Sequence, residues 1–139
     1  MEKGVAEFRR LFKEENNFIM RESTTRVSNS LVRLSPVDEG EYVAEWDVKI
    51  GSWPSDTDQQ PDQKKTKTRQ RLKDVISAVE YGKAVFFEND DPVAVKLEYG
   101  YSAQAPQGVV RLTTRRWRSF VKGAARAAIN KVKKKLASE

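Results

Sequence analysis

From residue 5 to residue 34, apolar side chains keep to one face of a helix, and this constrains the fold more than any other feature. Val5, Phe8, Phe12, Ile19, Val27, Leu31 and Leu34 stand three, four, seven or eight positions apart. At the α-helical period those spacings stack the side chains into a single stripe. Arg9, Arg10, Lys13, Glu14 and Arg21 fall on the remaining surface. A helix this long depends on tertiary packing of its apolar face, so the rest of the 139-residue chain must supply cover. Ser35-Pro36 ends it, because a residue before proline avoids the α region. Ser23, Thr24 and Thr25 are weak helix formers and mark a place where it can break.

The cover is legible as further elements. Residues 41–50 alternate: Tyr42, Ala44, Trp46, Val48 and Ile50 point one way, and Glu41, Glu45, Asp47 and Lys49 the other. Period two with aromatic and β-branched residues predicts a half-buried strand. Residues 51–68 are polar, with two prolines and one large apolar residue, Trp53. They are expected to form a mobile loop that orders on assembly, since they have little to bury. Residues 69–80 carry a short amphipathic stripe of Leu72, Val75, Ile76 and Val79, with Gly82 placed as a cap. A second strand is expected over 83–88. Asp90-Asp91-Pro92 then introduces a helix over 93–99, which Gly100 stops. Residues 105–108 have the composition of a tight turn, and 109–112 of a short third strand. The last helix is expected from Thr113 or Thr114 to Leu136, with Trp117, Val121, Ala124, Ala128, Val132 and Leu136 as its stripe. The predicted fold is α+β, one domain over 1–139. Two long terminal helices pack on a small, mainly antiparallel sheet of two to four strands, beside a long polar loop.

Composition narrows the chemistry. The chain has no histidine and no cysteine. That removes thiol nucleophiles, disulfides, Cys or His zinc sites and the imidazole base. It leaves carboxylate and magnesium chemistry open. No phosphate-cradling glycine loop and no nucleophile–base constellation is present, so no enzyme, cofactor or metal is expected. Asp38, Glu39, Glu41, Asp90 and Asp91 are explained by turn and capping chemistry. No apolar run approaches the length of about 20 residues that crosses a bilayer, and the mixed charges of the first ten residues do not suit a secretory leader. The net charge of +6 is uneven. Residues 100–138 hold ten Lys or Arg and no acid, whereas 1–99 hold sixteen bases against nineteen acids. A basic segment of this kind suits an acidic partner, nucleic acid or protein.

Two segments carry a resemblance. One is Ser35-Pro36-Val37-Asp38-Glu39-Gly40, directly after the long helix. The other runs from Leu97-Glu98-Tyr99-Gly100-Tyr101-Ser102 through Ala105-Pro106-Gln107-Gly108 to Thr113. Together they resemble a family of tailed-bacteriophage virion proteins described as tail-completion, head–tail joining or neck proteins and as minor tail components. That family tends to carry a proline-valine-aspartate-threonine-glycine turn and a glutamate-tyrosine-glycine box followed by alanine-proline-x-glycine. Glu39 stands where threonine is usual. The resemblance implies a non-enzymatic subunit of a homo-oligomeric, hexameric ring at the head–tail junction. It would be assembled in the host cytoplasm and would contact the tail tube and the head connector.

The expected interface residues are Trp53, Lys64, Lys65 and Lys67 in the loop. In and after the box they are Glu98, Tyr99, Gly100, Tyr101, Ser102, Pro106, Gly108 and Arg111, and at the start of the last helix Arg115, Arg116 and Arg118. Glu98 has two readings. It meets a basic partner, Arg111 or a residue of a neighbouring subunit, or it satisfies backbone donors in the following turn. The turn at 105–108 either aims an edge strand at a neighbour or connects two elements of one subunit. The basic helix is a solvated face, a contact for an acidic ring neighbour, or a face toward DNA in the channel. The alternative function is a small nucleic-acid-binding module acting through that helix.

Overall fold

A computed structural model describes residues 2–54 and 59–138. Helix α1 spans Glu2–Leu34 without a break. Thr24 is buried inside it, and its hydroxyl donates to the carbonyl of Met20 at 2.7 Å, the i−4 bond that satisfies a hydroxyl within a helix. One turn of helix, α2 (Glu41–Ala44), leads into strand β1 (Trp46–Ile50). Helix α3 (Thr66–Ile76) follows, then strand β2 (Val85–Asn89), helix α4 (Ala94–Glu98), helix α5 (Val110–Arg115) and helix α6 (Trp117–Ala137). The fold is α+β, with long helices at both ends packed on a two-stranded antiparallel sheet.

The sheet registers Trp46 with Asn89, Val48 with Phe87 and Ile50 with Val85, so these pairs share one face. That face meets the core, in which Val32, Val43, Leu72, Val79 and Val109 are sealed from solvent. Trp46 is fixed at its polar edge as well. Its indole N–H donates to Ser35 Oγ at 2.8 Å, and Ser35 Oγ donates to the Leu31 carbonyl at 2.6 Å. The end of α1 is thereby tied to the start of the sheet.

Several expected boundaries move. The strand predicted over 41–50 begins only at Trp46, because Gly40 adopts φ 90° and 41–44 turn helically. Tyr42, Val43 and Ala44 are all buried, which alternation cannot achieve but a helical turn against a core can. The third strand expected over 109–112 is instead the first turn of α5. The last helix is two helices, interrupted at Arg116. The loop is shorter than 51–68, because α3 begins at Thr66. Asp62 is buried there and its carboxylate accepts the Thr68 N–H at 2.7 Å, while its own N–H reaches the Gly40 carbonyl at 3.0 Å. Of the mobile loop expected over 51–68, residues 55–58 lie outside the described residues.

Helices α1 and α6 run antiparallel. Arg26 lies against Gly123, where a Cβ would come within 2.5 Å of its guanidinium, and Lys131 lies over the Phe18 ring at 4.4 Å. Small side chains are buried on both helices, Ser23 on α1 and Ala124 and Ala128 on α6. Helices approach closely where side chains are small. The apolar stripe predicted for α1 is therefore only partly a core stripe. Leu31 is buried, but Val5, Phe8 and Phe12 are 50%, 68% and 55% exposed. Likewise Trp117, Val132 and Leu136 of α6 remain exposed.

Candidate functional site

The two segments that carry the resemblance lie far apart in sequence and meet in space. Gln104 joins them: the Val37 N–H donates to its Oε1 at 2.9 Å, and its Nε2 donates to the Val37 carbonyl at 3.2 Å. Nothing in the sequence singled out Gln104, since its role depends on a partner that only folding brings near.

Within the second segment, α4 ends at Gly100, φ 87°. Its N–H reaches the Leu97 carbonyl at 3.2 Å, and the Tyr101 N–H reaches that of Lys96 at 3.1 Å. This paired ending needs a left-handed residue, which glycine supplies without a Cβ penalty. The chain then turns at 105–108, closed by the Gly108 N–H to the Ala105 carbonyl at 3.1 Å. A Cβ on Gly108 would lie 2.5 Å from the Glu98 carbonyl oxygen, so the close return to α4 requires glycine here too.

That return places the start of α5 over Glu98. The Glu98 carboxylate accepts from the backbone N–H groups of Val109 at 2.9 Å, Val110 at 2.8 Å and Arg111 at 2.8 Å. The first N–H groups of a helix have no intrahelical partner, and a carboxylate on three of them makes charge-assisted bonds along the favourable end of the dipole. The Arg111 side chain closes the arrangement, with Nε 3.4 Å from Oε1 and Nη2 on the Glu98 carbonyl. Both readings of Glu98 are therefore realised inside one subunit, and the edge-strand reading of 109–112 gives way to a helix start. The Glu98 side chain is 18% exposed. Burial pushes its pKa up, but the donors from Arg111, Val109 and Val110 outweigh burial and hold it below the usual carboxylate range. Burial, then the charges of Glu98 and Asp91, push the Tyr42 phenol well above its ordinary value.

Other predicted residues part into inward and outward sets. Lys65 is an internal brace. It adopts φ 64°, and its ammonium donates to the carbonyls of Arg33 at 3.0 Å and Ser35 at 2.9 Å, at the C-terminal end of α1. Burial, then Arg69 and Arg33, lower its pKa. Ser102 accepts the Gln104 N–H at 3.1 Å, inside the turn. Lys64, Lys67 and Pro106 are exposed. Trp53 leans on Phe86 with ring centroids 4.7 Å apart and keeps most of its surface in solvent. Arg115, Arg116 and Arg118 are exposed at the α5–α6 junction. Tyr99 and Tyr101, 75% and 77% exposed, point outward beside Arg111 and Lys96, at 5.1 Å and 5.8 Å from their ring centres. With Val93 and Val95 they leave an apolar and aromatic surface around the box.

No group of three or more His, Cys, Asp or Glu among the described residues is placed to hold a metal ion. Among the described residues, no helix is long and apolar enough to cross a membrane. Compared with known proteins, the chain matches no family model, no curated protein and no solved structure.

Proposed function

We propose that this chain is a structural virion subunit of a tailed phage, working at the head–tail junction as a ring-forming tail-completion or neck protein. One observation carries the reading. The two segments that resemble that family form one braced unit, whose internal polar groups are satisfied and whose tyrosines face outward. A carboxylate already shared among three backbone donors is poorly placed to move protons, whereas exposed Tyr99, Tyr101 and Trp53 have the amphipathic character favoured at protein contacts. The partners are further copies of the chain, the tail tube and the head connector. Removing the chain from its phage is expected to leave filled heads and finished tails unjoined under the electron microscope. Normal numbers of joined, infectious particles would refute the proposal.

A second reading rests on α5 and α6. Arg115, Arg116, Arg118, Lys122, Arg126 and Lys133 to Lys135 are exposed, and no carboxylate pairs with them among the described residues. Such a face holds phosphates without reading sequence. Titration with duplex DNA at two salt concentrations separates the two. Tight binding with a steep salt slope favours the nucleic-acid module.

A further inference from the structure

The free end of the α1–α6 pair is apolar on α1, where acids and bases balance over residues 2–15, and basic on α6. Between the Arg26–Gly123 and Phe18–Lys131 contacts, eight residues back along α1 match eight forward along α6. Continued at that pace, Ala137 comes level with Phe12, and the first turns of α1 extend past it. Val5, Phe8, Leu11 and Phe12 are exposed there, with the Phe8 and Phe12 rings stacked at 6.1 Å. On α6, Leu136 is exposed and comes level with Lys13, next to Phe12, while exposed Val132 comes level with Asn17. Lys133, Lys134 and Lys135 are exposed in the last turns of α6, which has no acidic residue. Solvent-facing phenylalanines on adjacent turns are a surface without its cover.

The opposite end of α1 carries the complementary surface. Beyond Leu34 lies an open groove of about 400 Å³ between the 36–42 turn and α4. Asp38, Glu39, Glu41 and Asp91 stand around it, and Val37, Val93 and Leu97 contribute apolar lining. Asp38, Glu39 and Glu41 are exposed, and their side chains form no ion pair among the described residues. A 33-residue helix separates the two surfaces by about 50 Å, so the tip cannot reach its own groove. Two tips facing each other would set their lysine clusters together, which like charge disfavours.

We propose that the α1–α6 tip docks into the acidic groove of a second copy of this chain, in a polar, head-to-tail contact. This rests on the assembly reading above and names the surfaces that meet. Phe8 and Phe12 enter against Val37, Val93 and Leu97, while the tip lysines meet the rim carboxylates. The contact joins unlike surfaces, so an open chain of copies keeps one free tip at one end and one free groove at the other until it closes.

The test is sedimentation of the full-length protein over a range of concentrations at low and high salt. The wild-type protein is expected to self-associate, more weakly at high salt. K133E/K134E/K135E and D38K/E39K/E41K should each weaken association about tenfold or more. An equimolar mixture of the two variants should restore it, because each exchanged surface then finds its opposite. F8D/F12D should also prevent association while the far-ultraviolet circular dichroism of the monomer stays unchanged. A wild-type protein that remains monomeric at low salt overturns the inference, as does a mixture that fails to recover. So does loss of tip charge that weakens binding to duplex DNA or anionic vesicles but leaves self-association intact. None of these outcomes touches the head–tail joining experiment, which tests the functional reading separately.

Discussion

The two halves of α1 share one helix, one period and a similar supply of apolar residues, yet they have opposite fates. The C-terminal half is enclosed: Leu31 and Val32 are in the core, Ser35 holds Trp46, and Lys65 covers the last carbonyls. The N-terminal half carries Val5, Phe8 and Phe12 into solvent. An apolar stripe in sequence therefore specifies that a face seeks burial, not which neighbour provides it. Where the rest of the chain folds back, the stripe becomes core. Where it does not, the same stripe stays in solvent, as the surface that the proposed head-to-tail contact would use.

Substitutions at the enclosed end should break this contrast most severely. Gly40→Ala must hold a Cβ at positive φ, 2.4 Å from the Gln63 nitrogen. Combined conformational strain and overpacking should cost about 3 kcal/mol or more, seen as a fall in the urea midpoint. Leu31→Ala, deep in the core, should cost about 3 kcal/mol. Next comes the brace at the box. Glu98→Ala leaves three helix-start donors without their acceptor and should cost about 2 kcal/mol.

The same brace has a pH signature. The folded pKa of Glu98 lies below its ordinary value, so the stability it supplies is complete above the unfolded carboxylate pKa of about 4.3. That stability is lost as pH falls through the folded pKa. Urea titrations should therefore find Glu98→Gln less stable than wild type at neutral pH, with the gap closing in acid. A gap independent of pH would mean that the charge is not what holds α5. Gln104→Ala, which unlinks the two segments, should cost about 1 kcal/mol. The smallest effect belongs to the tip: Phe8→Ala should change stability by no more than about 0.5 kcal/mol. A larger loss would show that the tip is folded against its own chain and would remove the contrast.

Much of the fold follows from local chemistry. Period and proline predict α1 and its end at Ser35-Pro36, and glycine predicts the end of α4 at Gly100. Alternation predicts the Trp46, Val48 and Ile50 face of β1, and the turn at 105–108 is legible in its composition. These signals survive because they arise within a few residues of one another. At 109–112 local propensity misleads, since two valines favour a strand while a distant carboxylate supplies the donors' partner and starts a helix. Tyr42 and Ala44 mislead in the same way, because alternation over so few residues cannot be told from one buried helical turn.

The candidate surfaces divide along the same line. The sequence alone established the missing imidazole and thiol, the basic C-terminal segment and the two motif segments. Only the tertiary structure decided that Gln104 links those segments, that Glu98 and Lys65 are spent on internal backbone groups, and that Phe8 and Phe12 lack cover. Composition and periodicity are properties of neighbouring residues, whereas burial and hydrogen-bond partnership depend on groups that only the folded path of the chain brings within reach.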